Sequence, residues 1–511
     1  MEIKVEMIIA CSVIVIISSV LYVLGGILGL REVTKKTRKQ QRRREVNDNR
    51  TEPEVIIVGS GVLGSTMATV LARDGRRVTV IERDMKEPDR IVGELFQPGG
   101  IRTLEDLGLG DCASGFEEVR LDGFVIHDPF INKPIDFQYP KGAADKIQSA
   151  RCFHHGRFIM SLRKAAMAEK NVTYIEGTVT TIIEEKGRVV GVEYKKKGEQ
   201  EKKTLLAPLT VVADGTFSKF RKQFSMASHE KMKTPTSYFI GFKVKETYDL
   251  KANHAEGFWC QSTPTIMYRI CPDTIRLMAD IETSVQPKNP KQFVMDTLYP
   301  DLPDHLKKVV GPAMEDDAVR LRLVPTFYVP SAPLQKPGTL LLGDALNCRH
   351  PYTASGMTVA LMDIKSWADI LQGIDSLDDK EIMAEAINEF QKRRRAGYAL
   401  VINVFAQCVK TVLFATDRYL SKFRLGAYNY VLLGGECLNG PLRIYGCLEP
   451  RPALLLYHFL AVNLYTAYYL LKSAPWYAKP IALLDGPLVF LRSSYMFFSL
   501  WLSECKSVTY Q

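Results

Sequence analysis

The sequence predicts an α/β fold with a nucleotide-binding parallel sheet, a second, antiparallel sheet and an apolar helical C-terminus. Three observations support this prediction. The glycine-rich stretch Gly59-Ser60-Gly61-Val62-Leu63-Gly64 lies between the apolar run 55–58 and a helix-like segment that ends near Gly75. Within 237–330, the segments 238–244, 265–271 and 274–281 roughly alternate apolar and polar residues, as antiparallel strands do. The chain after residue 355 has an almost wholly helical pattern, including 380–415.

The glycine-rich stretch occurs in a complete βαβ context. A second apolar run, 78–81, follows the helical segment and ends at Glu82. Gly59 permits the tight turn, Gly61 lets the backbone approach a pyrophosphate, and Gly64 lets helix and strand pack closely. The N-terminus of the helix offers N–H groups to the phosphates. Glu82 is placed to accept hydrogen bonds from the adenosine ribose and would repel a 2′-phosphate, which predicts FAD or NAD rather than NADP.

A second motif, about 280 residues later, distinguishes FAD from NAD. The stretch Leu340-Leu341-Leu342-Gly343-Asp344-Ala345 has the pattern of a buried strand that ends in an acidic turn. In flavoproteins of the glutathione-reductase type, such a turn brings an Asp to the ribityl chain and pyrophosphate of FAD. A helix that begins near Ser355 or Gly356 would direct its N-terminus at the flavin ring. The two motifs together therefore predict a glutathione-reductase-type FAD-binding Rossmann domain.

The N-terminal 44 residues hold most of the excess positive charge. Residues 7–30 include no charged side chain and are long enough to span a bilayer, which predicts a retained membrane anchor over 1–30. Residues 31–44 hold eight Lys or Arg and one acid, so they contribute +7 of the formal net charge of +10. This basic linker, assigned to 31–52, predicts a body on the cytosolic side of the membrane. Because the excess is local, nucleic-acid binding is poorly supported.

The C-terminal end is apolar as well. Residues 454–471 and 481–502 form two apolar segments, which would either span a bilayer or dip into one leaflet. The dip is favoured because Asp485, Gly486 and Pro487 are expected to interrupt the second segment.

Metal sites and disulfides are not expected. The ten cysteines are scattered without a C-x-x-C, which fits a reducing compartment. The eight histidines show no ligand spacing, so we expect no metal. No second G-x-G-x-x-G follows a strand, so electrons must reach the flavin from transiently bound NAD(P)H or from another protein.

These patterns divide the chain after the linker into four predicted parts. They are a first FAD-binding part (53–236), a mostly antiparallel substrate domain (237–335), a return segment of the FAD-binding domain (336–372) and a helical region with membrane-associated C-terminal helices (373–511). Two acidic turns, Asp214-Gly215 and Gly343-Asp344, are expected beside the nucleotide.

Four stretches are more specific than a generic flavoprotein pattern. Together, and in this order, they resemble the squalene epoxidase (squalene monooxygenase) family from about residue 53 to the C-terminus. The stretches are 90–100 (RIVGELFQPGG), 153–159 (FHHGRFI), 211–222 (VVADGTFSKFRK) and 343–351 (GDALNCRHP).

The resemblance implies an activity and its partners. It implies an FAD enzyme of sterol biosynthesis that converts squalene to (S)-2,3-oxidosqualene with O2, through a flavin hydroperoxide. Electrons would come from NADPH through the microsomal flavoprotein reductase, and the protein would lie in the endoplasmic reticulum membrane with its catalytic body facing the cytosol. The flavin carries the chemistry, so no catalytic side chain is assigned.

The resemblance also implies site residues, and two departures accompany them. Arg90 and Arg163 are suited to neutralise a pyrophosphate. Animal members usually have Tyr at the substrate-side position where this chain has Phe124. Their Leu-Thr-Gly-Gly-Gly-Met is Tyr-Thr-Ala-Ser-Gly-Met here, with Ser355 expected to cap the following helix. The implied FAD contacts are Val62, Leu63, Glu82, Arg83, Arg90, Leu95, Arg163, Val179, Asp344 and Met357.

Two alternatives remain open at the level of sequence. One is an FAD-dependent reductase or hydroxylase of another isoprenoid lipid that uses the same pocket. The other is a non-catalytic, membrane-tethered regulator that binds flavin or sterol, favoured only by the changes at Phe124 and Ala354-Ser355.

Overall fold

The described part of the chain forms three sheets and a helical C-terminal region. The computed structural model describes residues 52–128, 134–225, 235–245, 250–259, 263–284, 287–334 and 336–505. The predicted anchor (1–30) and the basic residues 31–44 lie outside the described residues. The described helices of nine or more residues are Val62–Arg73, Pro98–Asp106, His155–Met167, Asp304–Glu315, Gly356–Leu371, Lys380–Arg395, Tyr398–Leu413, Arg418–Val431, Gly435–Tyr445, Pro452–Ser473 and Lys479–Cys505.

The central sheet contains the predicted βαβ unit. At one edge two pairings are antiparallel, and the remaining four pairings are parallel. Strand Val55–Val58 is buried along its whole length, as expected for an apolar strand covered on both faces. In spatial order the seven strands are Lys202–Leu206, Arg188–Lys196, Val172–Glu185, Val78–Glu82, Val55–Val58, Leu209–Val212 and Thr339–Leu341.

The second sheet contains the three predicted alternating segments and four further strands. Its strands Thr265–Cys271 and Thr274–Ile281 have the predicted bounds. Two of the added strands come from 123–138, inside the range predicted for the first FAD-binding part. In spatial order this sheet is Arg322–Thr326, Ser237–Lys245, Thr274–Ile281, Thr265–Cys271, His254–Phe258, Gly123–His127 and Ile135–Gln138. A third, small sheet consists of Leu95–Phe96, Ala150–Cys152 and Val119–Leu121.

A buried ion pair connects the part of the fold built on the central sheet (the nucleotide half) to the second sheet. Glu94 directly precedes strand Leu95–Phe96, and Arg276 lies in the middle of strand Thr274–Ile281. Both guanidinium contacts measure 2.7 Å, and the two side chains are only 1% and 3% exposed. A bidentate pair of this kind has strict geometry. It therefore holds the second sheet in a defined position against the nucleotide half.

The predicted helical stretch 380–415 is two helices. Lys380–Arg395 and Tyr398–Leu413 meet at an angle of 41°. Gly397 has non-helical backbone angles between them. The junction is held by Asp363, which accepts hydrogen bonds from Arg394 (2.7 Å) and from the Tyr398 hydroxyl (2.6 Å).

The expected interruption near residue 485 is wrong. Helix Lys479–Cys505 continues through Asp485-Gly486-Pro487. Asp485 is tolerated because it is paired with Arg418 (3.0 Å) and Lys422 on a neighbouring helix. Gly486 allows close contact with Ala467 on the preceding helix.

The two C-terminal helices are consistent with membrane association. By length and composition, Pro452–Ser473 and Trp476–Cys505 are each able to cross a bilayer. They pack against each other, for example through stacked Phe459 and Phe497 rings 4.1 Å apart. Their outer surface still exposes large apolar side chains: Leu464, Tyr468, Leu471, Trp476, Tyr477, Ile481, Leu483, Leu484, Leu488, Leu491, Tyr495, Phe498 and Leu502.

We expect Glu94→Gln to destabilise the protein by about 3–5 kcal/mol, because it leaves the Arg276 charge buried without its counter-ion. Thermal unfolding of the detergent-solubilised protein measures the change. Glu389→Gln is the matched control, since its pair with Arg393 is roughly half exposed and contributes little. Equal melting temperatures for the two variants would contradict the role assigned to the buried pair.

Candidate functional site

The carboxyl ends of three neighbouring parallel strands bring the two glycine motifs together. A Cβ atom on Gly59 would lie 2.6 Å from the carbonyl oxygen of Ala213, which follows strand Leu209–Val212. A Cβ on Gly343 would lie 3.2 Å from Cδ1 of Leu63 in the first motif. In open α/β sheets ligands bind at this edge. The predicted convergence of the motifs is therefore present in the fold.

The glycine-rich turn has the backbone that a pyrophosphate cradle requires. Gly59 has φ +101°, and a Cβ on Gly64 would overlap the Gly59 carbonyl at 1.9 Å. A Cβ on Gly61 meets no atom of the described residues within 4 Å, so there is open space above the turn. Helix Val62–Arg73 begins there with no side-chain cap from the described residues. Open space beside uncapped N–H groups fits a phosphate group.

An acid and an arginine flank this turn. Glu82 ends strand Val78–Glu82 and accepts a 2.6 Å hydrogen bond from the backbone N–H of Ser60. Arg163, on helix His155–Met167, donates to the Ser60 carbonyl at 3.0 Å and lies 3.7 Å from the Glu82 carboxylate. Glu82 and Arg163 therefore meet at the turn itself, and the adjacent Arg83 is exposed.

The second motif and the segment that leads from it to helix Gly356–Leu371 (340–355, here called the far motif) present an exposed carboxylate at Asp344. Asp344 accepts a 3.0 Å hydrogen bond from the hydroxyl of Thr216, which directly follows the other acidic turn, Asp214-Gly215. Beneath it, Arg221 donates to the carbonyls of Asp344 and Ala345. Thr216 and Arg221 lie in the motif stretch 211–222, but the sequence alone assigns them no role. Their contacts hold the two acidic turns together.

The start of helix Gly356–Leu371 differs from the expectation. The Ser355 hydroxyl does not cap the helix, because it hydrogen-bonds the Thr353 hydroxyl at 2.9 Å instead. Ala354 adopts φ +49°, a left-handed conformation that favours glycine. Met357 is half-buried against the central core.

Three other predicted FAD contacts, Leu95, Val179 and Arg90, lie in different surroundings. Leu95 and Val179 are buried in two different apolar clusters. Arg90 is exposed near His155, whose Nδ1–H donates to the Gly93 carbonyl at 2.9 Å. Burial, with the nearby Arg90 charge, lowers the pKa of His155 to about 4. The imidazole is therefore neutral at neutral pH.

Phe124 lies in an aromatic cluster on the inner face of the second sheet. It is 3% exposed, and its ring centroid is 5.7 Å from those of Phe137 and Tyr139 and 5.4 Å from that of Tyr445. Leu95 and Ala354 pack in the same cluster. The aromatic cluster thus lies between the second sheet and the segment that leads into helix Gly356–Leu371.

A buried amide connects this cluster to the far motif. The Tyr139 hydroxyl donates to Gln97 at 2.7 Å, and the Gln97 amide donates to the Thr353 carbonyl at 2.7 Å. Burial raises the pKa of Tyr139 well above its ordinary value, so the phenol keeps its proton. Gln97 lies inside the motif stretch 90–100, but its residue type alone does not predict this bridge.

Comparison with known proteins agrees with this geometry. A squalene epoxidase family model matches residues 206–484, and a model of an NAD(P)-binding Rossmann-like domain matches 57–86. The flavin-dependent brominase Bmp2 shares the fold with a TM-score of 0.64 at 17% identity, over 81% of this chain and 99% of its own.

Two curated relatives match most of the chain. Squalene monooxygenase of Rattus norvegicus is 46% identical over 456 residues, which are 89% of this chain and 78% of that protein. A squalene epoxidase of Schizosaccharomyces pombe is 33% identical over 89% of this chain and 99% of that protein. With the family model covering more than half of its length, the chain belongs to the squalene epoxidase family.

Proposed function

We propose that this protein is an FAD-dependent monooxygenase that converts squalene to (S)-2,3-oxidosqualene with O2, in sterol biosynthesis. The strongest support for the proposal is the 46% identity to a squalene monooxygenase over 89% of the chain. The geometry supports it, because a nucleotide-binding strand edge lies beside a buried aromatic cluster. A long apolar substrate and a flavin would need these two environments in contact.

The residues around the strand edge suit FAD. The open turn at Gly61 and the Arg163 guanidinium would hold the pyrophosphate, and Glu82 would bind the adenosine ribose. Asp344 would bind the ribityl chain, and the uncapped start of helix Gly356–Leu371 would face the flavin ring. Arg83, Arg90, Leu95, Val179 and Met357 are proposed as further contacts. Bound FAD supplies the oxygen-transfer chemistry, which no protein side chain provides.

The second half of the site would bind and orient the alkene. Phe124, Tyr139 and Tyr445 form a buried apolar wall that keeps water away from the reacting atoms. The Gln97 bridge to Thr353 holds this wall at a constant distance from the far motif. Orientation of a terminal double bond in this way lowers the barrier through proximity. No acid–base side chain is required.

We propose that the electrons come from NADPH through a partner flavoprotein reductase. The sequence contains one strand-linked G-x-G-x-x-G, and this motif is used for the FAD. A partner reductase accounts for the reduction without a second nucleotide domain.

We propose that the protein associates with the endoplasmic reticulum membrane, with its body on the cytosolic side. The exposed apolar surface of Pro452–Ser473 and Lys479–Cys505 supports a bilayer contact. Exposed Trp476 and Tyr477, between Lys472 and Lys479, have the composition of a headgroup boundary. Squalene dissolves in lipid, so a membrane-facing helix pair would give it a short route to the aromatic cluster.

The activity test uses purified full-length protein with FAD, NADPH, the microsomal reductase and squalene. We expect a product that has gained one oxygen atom and co-elutes with 2,3-oxidosqualene. A product that has gained two hydrogens would indicate a lipid reductase instead. NADPH oxidation that yields only peroxide, or retained FAD without turnover, would refute the proposal.

Arg163→Gln should lower FAD affinity by at least about tenfold, because a charge-assisted contact at the turn is lost. FAD titration followed by flavin fluorescence measures the change. Arg157→Gln, on the same helix but at the surface beside Glu117, is the control and should bind FAD normally. If both variants bind FAD equally well, Arg163 is not a cofactor contact.

Phe124→Tyr should alter squalene turnover or inhibitor binding while FAD content stays at the wild-type level. The new hydroxyl must find a partner inside a buried aromatic cluster, which changes the shape and polarity of the substrate side. Steady-state kinetics and the flavin-to-protein absorbance ratio report the two properties. The same change at Phe414, outside the cluster, should affect neither. Loss of FAD in Phe124→Tyr would show that the residue is placed wrongly.

A further inference from the structure

We propose that His127, Glu256 and His305 form a binding site for a divalent transition-metal ion of the zinc type. Their ligand atoms all lie within 4.8 Å of one another. The His305 Nε2 atom is 3.0 Å and the His127 Nε2 atom 3.3 Å from the same Glu256 oxygen, Oε2. No metal is expected from the sequence, because its cysteines and histidines show no ligand spacing. These three residues are far apart in the chain and meet only in the fold.

Three separate elements hold the ligands in place. His127 ends strand Gly123–His127, and Glu256 lies in strand His254–Phe258, which pairs with it in parallel. The His127 ring stacks on Phe258 with centroids 4.8 Å apart, which sets its orientation. His305 comes from the first turn of helix Asp304–Glu315. The site is therefore organised by the fold rather than by a flexible loop.

The charge and burial of the cluster favour a cation. The Glu256 side chain is only 7% exposed, while those of His127 and His305 are 22% and 28% exposed. A buried carboxylate that faces two imidazoles is stabilised when a metal ion compensates its charge.

The donor set indicates the kind of metal. Imidazole nitrogen and carboxylate oxygen suit Zn²⁺, whereas Mg²⁺ and Ca²⁺ prefer oxygen ligands alone. Zinc bonds of about 2.0–2.1 Å give ligand–ligand separations of about 3.3 Å in a tetrahedron. The two contacts to Glu256, at 3.0 and 3.3 Å, are close to this spacing. Three protein ligands leave a fourth position, which the partial exposure of the histidines opens to water.

The position in the sheet indicates a structural role. Side chains alternate between faces along a strand, so His127 lies on the opposite face from Phe124 and Ile126, which belong to the aromatic cluster. Phe258 packs in the core that includes helix Asp304–Glu315. A bound ion would therefore attach this helix to the outer face of the second sheet, away from the flavin side. This inference does not depend on the proposed activity.

The test uses full-length, FAD-loaded protein carrying a tag without histidines. After chelator treatment, the protein is titrated with Co²⁺ and with Zn²⁺, and bound metal is measured by mass spectrometry of the eluted protein. We expect about one bound ion per chain and a tetrahedral Co²⁺ absorption band that Zn²⁺ displaces. We also expect Zn²⁺ to raise the melting temperature.

Glu256→Gln and His305→Gln should each lower the metal affinity by at least about 100-fold. Asp304→Asn removes an exposed, ligand-type side chain from the same helix and should bind as the wild type does. FAD absorbance and circular dichroism verify that each variant is folded. The wild-type titration with Co²⁺ tests the site even where a variant fails to fold. Absence of binding to the wild type would mean a hydrogen-bonded triad only, and equal binding by all variants would place the metal elsewhere; either result overturns the proposal.

Discussion

The close contact between backbones at the carboxyl edge of the central sheet is the constraint on which the candidate site depends. Side chains are excluded there, because a Cβ on Gly64 would overlap the Gly59 carbonyl and one on Gly59 would overlap Ala213. This packing aligns strands Val55–Val58 and Leu209–Val212 so that their turns meet. Gly343 lies so close to Leu63 that a Cβ on it would be 3.2 Å from the leucine side chain. Asp344 therefore lies beside the first turn. A nucleotide cradle results from three strands that end together.

The second sheet is positioned by buried polar groups rather than by apolar contact alone. Glu94 and Arg276 connect it to the nucleotide half, while Gln97 joins Tyr139 to the Thr353 carbonyl. His350, 2.9 Å from Asp280 and fully buried with it, adds a third connection. Such interactions are directional, so they define the separation of the aromatic cluster from the far motif. In the proposed site, that separation would determine whether a substrate double bond reaches the flavin.

Local patterns predicted the elements well and their partners poorly. Strands Thr265–Cys271 and Thr274–Ile281 were predictable because alternation is a property of neighbouring residues. The pairing of 123–138 with the second sheet was not, since pairing depends on distant residues. The break expected at Asp485 failed for a related reason. Its charge is compensated by Arg418 and Lys422 from another helix, and neither is close to it in sequence.

The sequence by itself determined the nucleotide-binding unit, the prediction of FAD and the membership of the squalene epoxidase family. The glycines, the acid at the end of the second strand and the family motifs are each recognised from neighbouring residues. They can therefore be interpreted without knowledge of the fold. The tertiary structure alone decided what Gln97 and Arg221 contact, that Ser355 bonds Thr353 instead of capping a helix, and that His127, Glu256 and His305 meet. These contacts join residues on different elements, so only the packing of the whole chain creates them.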